Sequence, residues 1–148
     1  MNKKRTRSRS SSPARSEQVI ISLVRLANAV NRRFEEALEE VGLSLAKFGA
    51  LKHLAQAGEP LSLSECAARM TCVRSNITQL VDRLEADGLV RRVEDPADRR
   101  AVRATVTPLG LERQAAGARQ VEKVQKELAK KFSGIDYGTL ERMLSAIK

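Results

Sequence analysis

The sequence has 148 residues and a formal net charge of +9, with 42% hydrophobic residues, 3% aromatic residues and no tryptophan. Leu, Val, Ile and Ala must therefore fill one modest core, which suits helices better than a sandwich or barrel. No apolar run reaches the roughly 18 residues of a membrane span, and one histidine with two cysteines excludes a Cys/His zinc site and a disulfide framework, so a cytoplasmic protein without metal or cofactor is expected.

Residues 1–16 hold Lys3, Lys4, Arg5, Arg7, Arg9 and Arg15 and no acid, which leaves 21 of the 27 basic residues to face all 18 acidic ones. Rich in Ser and Arg and poor in apolar side chains, this segment cannot repay the entropy of ordering. It reads as a disordered basic arm that adds non-specific attraction to phosphates. From residue 17 the pattern becomes helical, with Val19, Leu23, Leu26, Val30, Phe34, Leu38 and Val41 at three- and four-residue steps. Gly42 ends that helix. A second begins after Ser44, with Leu45, Phe48, Leu51, Leu54 and Ala55 on one face, and stops at Gly58-Glu59-Pro60.

Ser62 and Glu65 have capping-box spacing at the start of a short third helix that ends near Met70. Thr71-Cys72-Val73 connects it tightly to a fourth helix, near residues 74–86, whose apolar face is Ile77, Leu80, Val81 and Leu84 and whose end is capped by Gly88. Two short helices joined in this way predict a helix-turn-helix. The period then changes to two: Leu89, Val90 and Val93 give one strand, and Val102, Ala104 and Val106 give another. Glu94-Asp95-Pro96-Ala97-Asp98-Arg99-Arg100 forms the charged tip between them. Thr107-Pro108 is an N-cap followed by a first-turn proline. A long helix runs on to about Lys131, with Leu111, Ala115, Ala118, Val121, Val124 and Leu128 facing inward. Ser133-Gly134 breaks it, and Asp136 caps a last helix carrying Leu140, Met143, Leu144 and Ile147.

The fold class is mainly α with a small two- to three-stranded β-wing, a winged helix-turn-helix between flanking helices. A helix fits the major groove of B-DNA, and a basic loop beside it can reach the neighbouring minor groove. The fourth helix offers Arg74, Ser75, Asn76, Thr78, Gln79, Asp82 and Arg83 on its exposed side. Asn and Gln pair bidentately with adenine, Arg with guanine, and hydroxyls with phosphates or bases. That face is rich in short amides and hydroxyls, unlike the Glu and Lys of an indifferent wet surface. In the wing, Asp98 can pair across the turn with Arg100 and hold its guanidinium ready for a narrow minor groove, while Arg99 serves instead or clamps a phosphate.

Residues 61–110 resemble the MarR (multiple antibiotic resistance regulator) family of bacterial repressors. The likeness rests on Asn76-Ile77-Thr78-Gln79-Leu80-Val81-Asp82-Arg83-Leu84-Glu85, on Asp87-Gly88-Leu89-Val90-Arg91-Arg92, and on Asp95-Pro96-Ala97-Asp98-Arg99-Arg100-Ala101-Val102-Arg103. Leu109-Gly110 follows after Thr107-Pro108. The resemblance implies one winged-helix domain over 17–148, with 17–42 and 108–148 as dimerisation helices and 44–106 as the DNA-binding part. It implies a homodimer on a palindromic operator of double-stranded DNA, with Arg74, Ser75, Asn76, Thr78 and Gln79 as major-groove readers and Asp98 and Arg100 as the wing pair. It also implies release by a small effector, a phenolic or aromatic carboxylate, for which Arg25, Asn28, Arg32 and His53 are the candidate lining residues. One departure is Val73, where many members place a hydroxyl cap; either Thr71 takes that role or the helix end is less well capped.

Two other readings compete. Cys66 and Cys72 lie six apart beside the helix-turn-helix, and their oxidation would distort the reading helix in a redox-responsive regulator; a free Cys is more often a small buried hydrophobe. A non-specific architectural nucleic-acid-binding protein would use the arm and wing for shape-driven contact. RNA bases need a stacking platform, which Tyr137 and three Phe on apolar faces do not supply. An enzyme is not expected: Cys66 or Cys72 with His53 has no orienting third group, and there is no Gly-rich phosphate cradle.

Overall fold

The structure is a computed structural model that describes residues 13–70, 74–98 and 101–146. In chain order its elements are α1 (Pro13–Glu39), α2 (Leu45–Ala57), β1 (Leu61–Ser62), α3 (Leu63–Met70), α4 (Arg74–Ala86), β2 (Val90–Glu94), β3 (Val102–Val106), α5 (Pro108–Lys131) and α6 (Tyr137–Ser145). This is the expected class, mainly helical with a small three-stranded sheet. By its internal contacts the chain divides into two compact units, residues 1–33 and 34–148.

The first unit holds most of α1. Its helix starts at Pro13, so residues 13–16 are helical and not part of a disordered arm. Proline at the first position has its φ pre-set and loses no hydrogen bond there, and Ala14 is a strong helix former. The expected apolar stripe is open at its start, where Val19, Leu23 and Leu26 are exposed, as are Ile20, Ile21 and Val24 beside them; Val30 is half-buried. A single helix has no second element on which to bury such a face.

The second unit is built around Leu38, Leu43, Phe48, Leu51, Leu54, Leu61, Ile77, Val81, Leu84, Leu89, Val90 and Ala104. The predicted faces of α2 and α4 supply half of these side chains: Phe48, Leu51 and Leu54 from the first, Ile77, Val81 and Leu84 from the second. Ser62 and Glu65 form the capping box: the Ser62 N–H donates to Glu65 Oε2 at 2.7 Å and the Glu65 N–H to Ser62 Oγ at 3.2 Å. Such a box satisfies two amides that a helix start leaves orphaned. The turn from α4 into β2 needs a left-handed residue, and Gly88 provides it at φ 72°. The sheet order is β1-β3-β2, antiparallel throughout, with Leu61 opposite Ala104, Arg92 opposite Ala104, and Val93 opposite Arg103.

Thr107 caps α5 by accepting from the Gly110 N–H at 3.0 Å, and its hydroxyl donates to the Gly88 carbonyl at 2.7 Å. The inward face of α5 differs from expectation. Gly110, Gly117 and Val124 are buried, Ala118, Val121 and Leu128 are half-buried, and Leu111 and Ala115 are exposed. The reason is close approach, because a Cβ on Gly117 would stand 2.7 Å from the Phe48 ring. On α6, Met143 and Leu144 are exposed and Leu140 is half-buried. Ile147 lies outside the described residues.

Candidate nucleic-acid interface

The rotation of α4 about its own axis is fixed by Ile77, Val81 and Leu84, each wholly buried. Steps of three and four residues put these on one side, so Asn76, Thr78, Gln79, Asp82 and Arg83 must face outward, and all five are exposed. Asn76, Gln79 and Arg83 share one wall of a shallow groove of about 300 Å³, completed by Ala46, Met70 and Leu80. These three make no side-chain hydrogen bond or ion pair among the described residues, so their donors and acceptors remain available. Arg74 and Ser75 fall in the first turn of α4, but their side chains, like Arg99 and Arg100 at the wing tip, lie outside the described residues. Asp98 is exposed at the foot of that tip.

Asp82 has a different task. Arg92 on β2 extends its guanidinium over α4 and pairs with both Asp82 and Glu85, while the Arg92 N–H donates to Glu85 Oε1 at 3.0 Å. A planar fork gripping two carboxylates one helical turn apart holds the strand against the helix. The backbone N–H and then the side chain of Arg92 lower the Glu85 pKa below its ordinary 4.5. A second arginine acts at the base of the wing. Arg103 Nε donates to Asp95 Oδ2 at 2.5 Å, and its Nη1 donates to the Pro60 carbonyl at 3.1 Å and to Glu65 Oε2 at 3.4 Å. Asp95 also accepts the Ala97 N–H at 2.8 Å, and these bonds lower its pKa below 3.8, the backbone bond contributing most. Glu65 is likewise lowered, chiefly by the Ser62 N–H.

Neither arginine stands out in the sequence as a site residue. The signal lies in register: once Val93 is opposite Arg103, the Asp95 carboxylate falls diagonally beside that guanidinium. Three carboxylates with depressed pKa values give a pH prediction. Their contribution to stability is complete above the unfolded carboxylate range near pH 4 and is lost as pH falls through the lower folded values. The thermal midpoint, followed by circular dichroism, stays level from pH 7 to about 5 and declines below about pH 4. A midpoint unchanged down to pH 3 would contradict the clamps.

The remaining sequence candidates fall in both units. Arg25, Asn28 and Arg32 are exposed on α1 in the first unit, whereas His53 is half-buried on α2 in the second. Cys66 is buried, with 4% exposure, and Cys72 lies outside the described residues. Among the described residues no group of three His, Cys, Asp or Glu is placed to hold a metal ion, and no helix is long and apolar enough to cross a membrane.

Comparison with known proteins gives a consistent picture. The MarR family model matches residues 43–102. The HTH-type transcriptional regulator YsmB of Bacillus subtilis (strain 168) is 34% identical over 89 residues, which is 60% of this chain and 60% of YsmB. CouR from Rhodococcus jostii RHA1, solved bound to p-coumaroyl-CoA, is similar at a TM-score of 0.73 and 28% identity, over 92% of this chain and 93% of that one. The transcriptional repressor CouR bound to a 23-mer DNA duplex is similar at a TM-score of 0.77 and 26% identity, covering 95% and 99%.

Proposed function

The chain belongs to the MarR family, and on that premise we propose that it is a transcriptional repressor which binds a palindromic operator as a homodimer. One observation carries the reading: α4, its rotation fixed by three wholly buried side chains, presents Asn76, Gln79 and Arg83 together on one open wall. In a major groove, Asn76 and Gln79 would pair with adenine edges and Arg83 with a guanine or a phosphate. Arg74, Ser75 and Thr78 belong to the same helix. Beside it, Arg100, oriented by Asp98 and seconded by Arg99, would enter the adjacent minor groove. A second copy would cover the apolar side chains left open on α1, among them Val19 and Leu23, and on α6, Met143 and Leu144. For the effector we keep the phenolic or aromatic carboxylate class; the similar CouR, solved with p-coumaroyl-CoA, a phenolic thioester, supports the phenolic part of it.

The test is a binding titration against salt, on duplexes selected from random DNA and on the intergenic segment beside the coding sequence. A dimeric reader gives saturable binding to a palindrome, with log K falling steeply as log salt rises. Equal affinity for every duplex at all salt concentrations would instead favour the architectural reading. Replacing Arg100 with alanine lowers specific affinity about tenfold, within the range for a lost groove contact, and leaves the circular dichroism spectrum unchanged. Unaltered affinity would remove the wing from the interface.

A further inference from the structure

We propose that Arg103 is a positioning residue for DNA recognition: it sets the angle at which the wing loop leaves the sheet and thereby the reach of the wing into the minor groove. The proposal rests on the DNA-binding reading above and adds a residue that never touches the duplex.

Arg103 lies on the middle strand, opposite Val93 of β2 on one side and Ser62 of β1 on the other. Alternation puts it on the sheet face away from Ala104, which is wholly buried. There it borders an open cleft of about 430 Å³ lined by Glu59, Pro60, Val93, Glu94, Asp95 and Arg103 among others. Polar contacts therefore have a large share in fixing the hairpin here.

Those contacts converge on one carboxylate and one guanidinium. Asp95 is 8% exposed, and among the described residues it is the buried charged side chain. Its carboxylate holds the start of the loop through the Ala97 N–H, and its own N–H donates to the Ala101 carbonyl at 3.1 Å, closing the loop at its neck. The Ala101 N–H then reaches the Asp98 carbonyl at 2.9 Å. The loop that bears Arg99 and Arg100 thus hangs from Asp95, and Arg103 anchors Asp95 to two elements outside the hairpin: the chain before β1, through the Pro60 carbonyl, and the first turn of α3, through Glu65. Glu65 serves the capping box with the same Oε2 atom. The angle of the wing and the start of the helix-turn-helix consequently share one bonding network. A lysine has the charge but not the fork, and could satisfy only part of it.

The experiment compares the full chain with Arg103→Leu, Arg103→Lys and Asp95→Asn on one duplex selected by the unaltered protein. Hydroxyl-radical cleavage reports the minor groove, and dimethyl sulfate protection of guanine N7 reports the major groove. For Arg103→Leu we expect minor-groove protection to be lost, major-groove protection to persist, and affinity to fall about tenfold. Arg103→Lys should restore the protection only in part. Asp95→Asn keeps the side-chain shape but loses the charge, and should reproduce the Arg103→Leu footprint; it carries the test if the leucine variant does not fold. Intact minor-groove protection at unaltered affinity overturns the proposal, as does equal loss of both footprints in a variant with an unchanged melting curve. If the unaltered protein selects no duplex at all, the DNA-binding reading fails and this one with it, an outcome distinct from a variant that binds with its footprint intact.

Discussion

Replacing Gly110 with alanine lowers the melting temperature by on the order of 10 °C, from a destabilisation of about 3 kcal/mol or more. Two effects oppose each other. Gly110 is the third residue of α5, and the preference of a helix for alanine over glycine, about 1 kcal/mol in an interior, would by itself make the variant more stable. The new Cβ, however, would stand 2.0 Å from the Leu89 carbonyl oxygen and 2.7 Å from Val106 Cγ2. The first of these cannot yield. Leu89 is buried and its carbonyl accepts the Thr107 N–H at 3.1 Å, while the Thr107 hydroxyl donates to the Gly88 carbonyl. Steric exclusion by a fixed backbone atom outweighs the propensity term. Gly134→Ala is the control, since a Cβ there meets nothing within 4 Å, and its effect should stay within about 0.5 kcal/mol. Differential scanning calorimetry of both variants decides the matter: equal melting temperatures would mean that the joint between α5 and the wing is looser than described.

The second large effect concerns binding. The double variant Asn76→Ala/Gln79→Ala loses about 2–6 kcal/mol of specific affinity, taking about 1–3 kcal/mol for each bidentate base contact, and falls to the affinity of an unrelated duplex. Its melting temperature and the salt dependence of its non-specific binding remain those of the parent, because both side chains are exposed and neither neutralises a phosphate. Fluorescence anisotropy on the selected and on a scrambled duplex measures the two affinities. If selectivity survived, base reading would lie elsewhere on the molecule.

Much of this architecture is legible in the sequence wherever a local chemical rule acts alone. Gly88, the Ser62–Glu65 box and the Thr107-Pro108 start each follow from what a neighbouring backbone group requires, and each stands where expected. The face of α4 is equally plain, because Ile77, Val81 and Leu84 have no polar competitor on their side. Misreadings arise where a side chain is missing or its partner is remote. The inward face of α5 turns on Gly110 and Gly117, which carry no hydrophobic signal, so Leu111 and Ala115 appear to be the buried positions when they are exposed. The start of α1 is obscured because basic and hydroxyl residues surround Pro13. The partners of Arg92 and Arg103 depend on strand register, which periodicity alone does not supply.

The two arginine clamps have a mechanical consequence. Arg92 joins the hairpin to α4, and Arg103 joins it to α3, so reading helix and wing move as one stamp and not as two jointed fingers. Were the proposed homodimer released from an operator by an inducer, that ligand would gain little by bending the stamp. It would have to alter the spacing between two stamps, which must meet successive grooves about 34–36 Å apart, and its leverage would be limited by how much better it binds the mis-spaced pair.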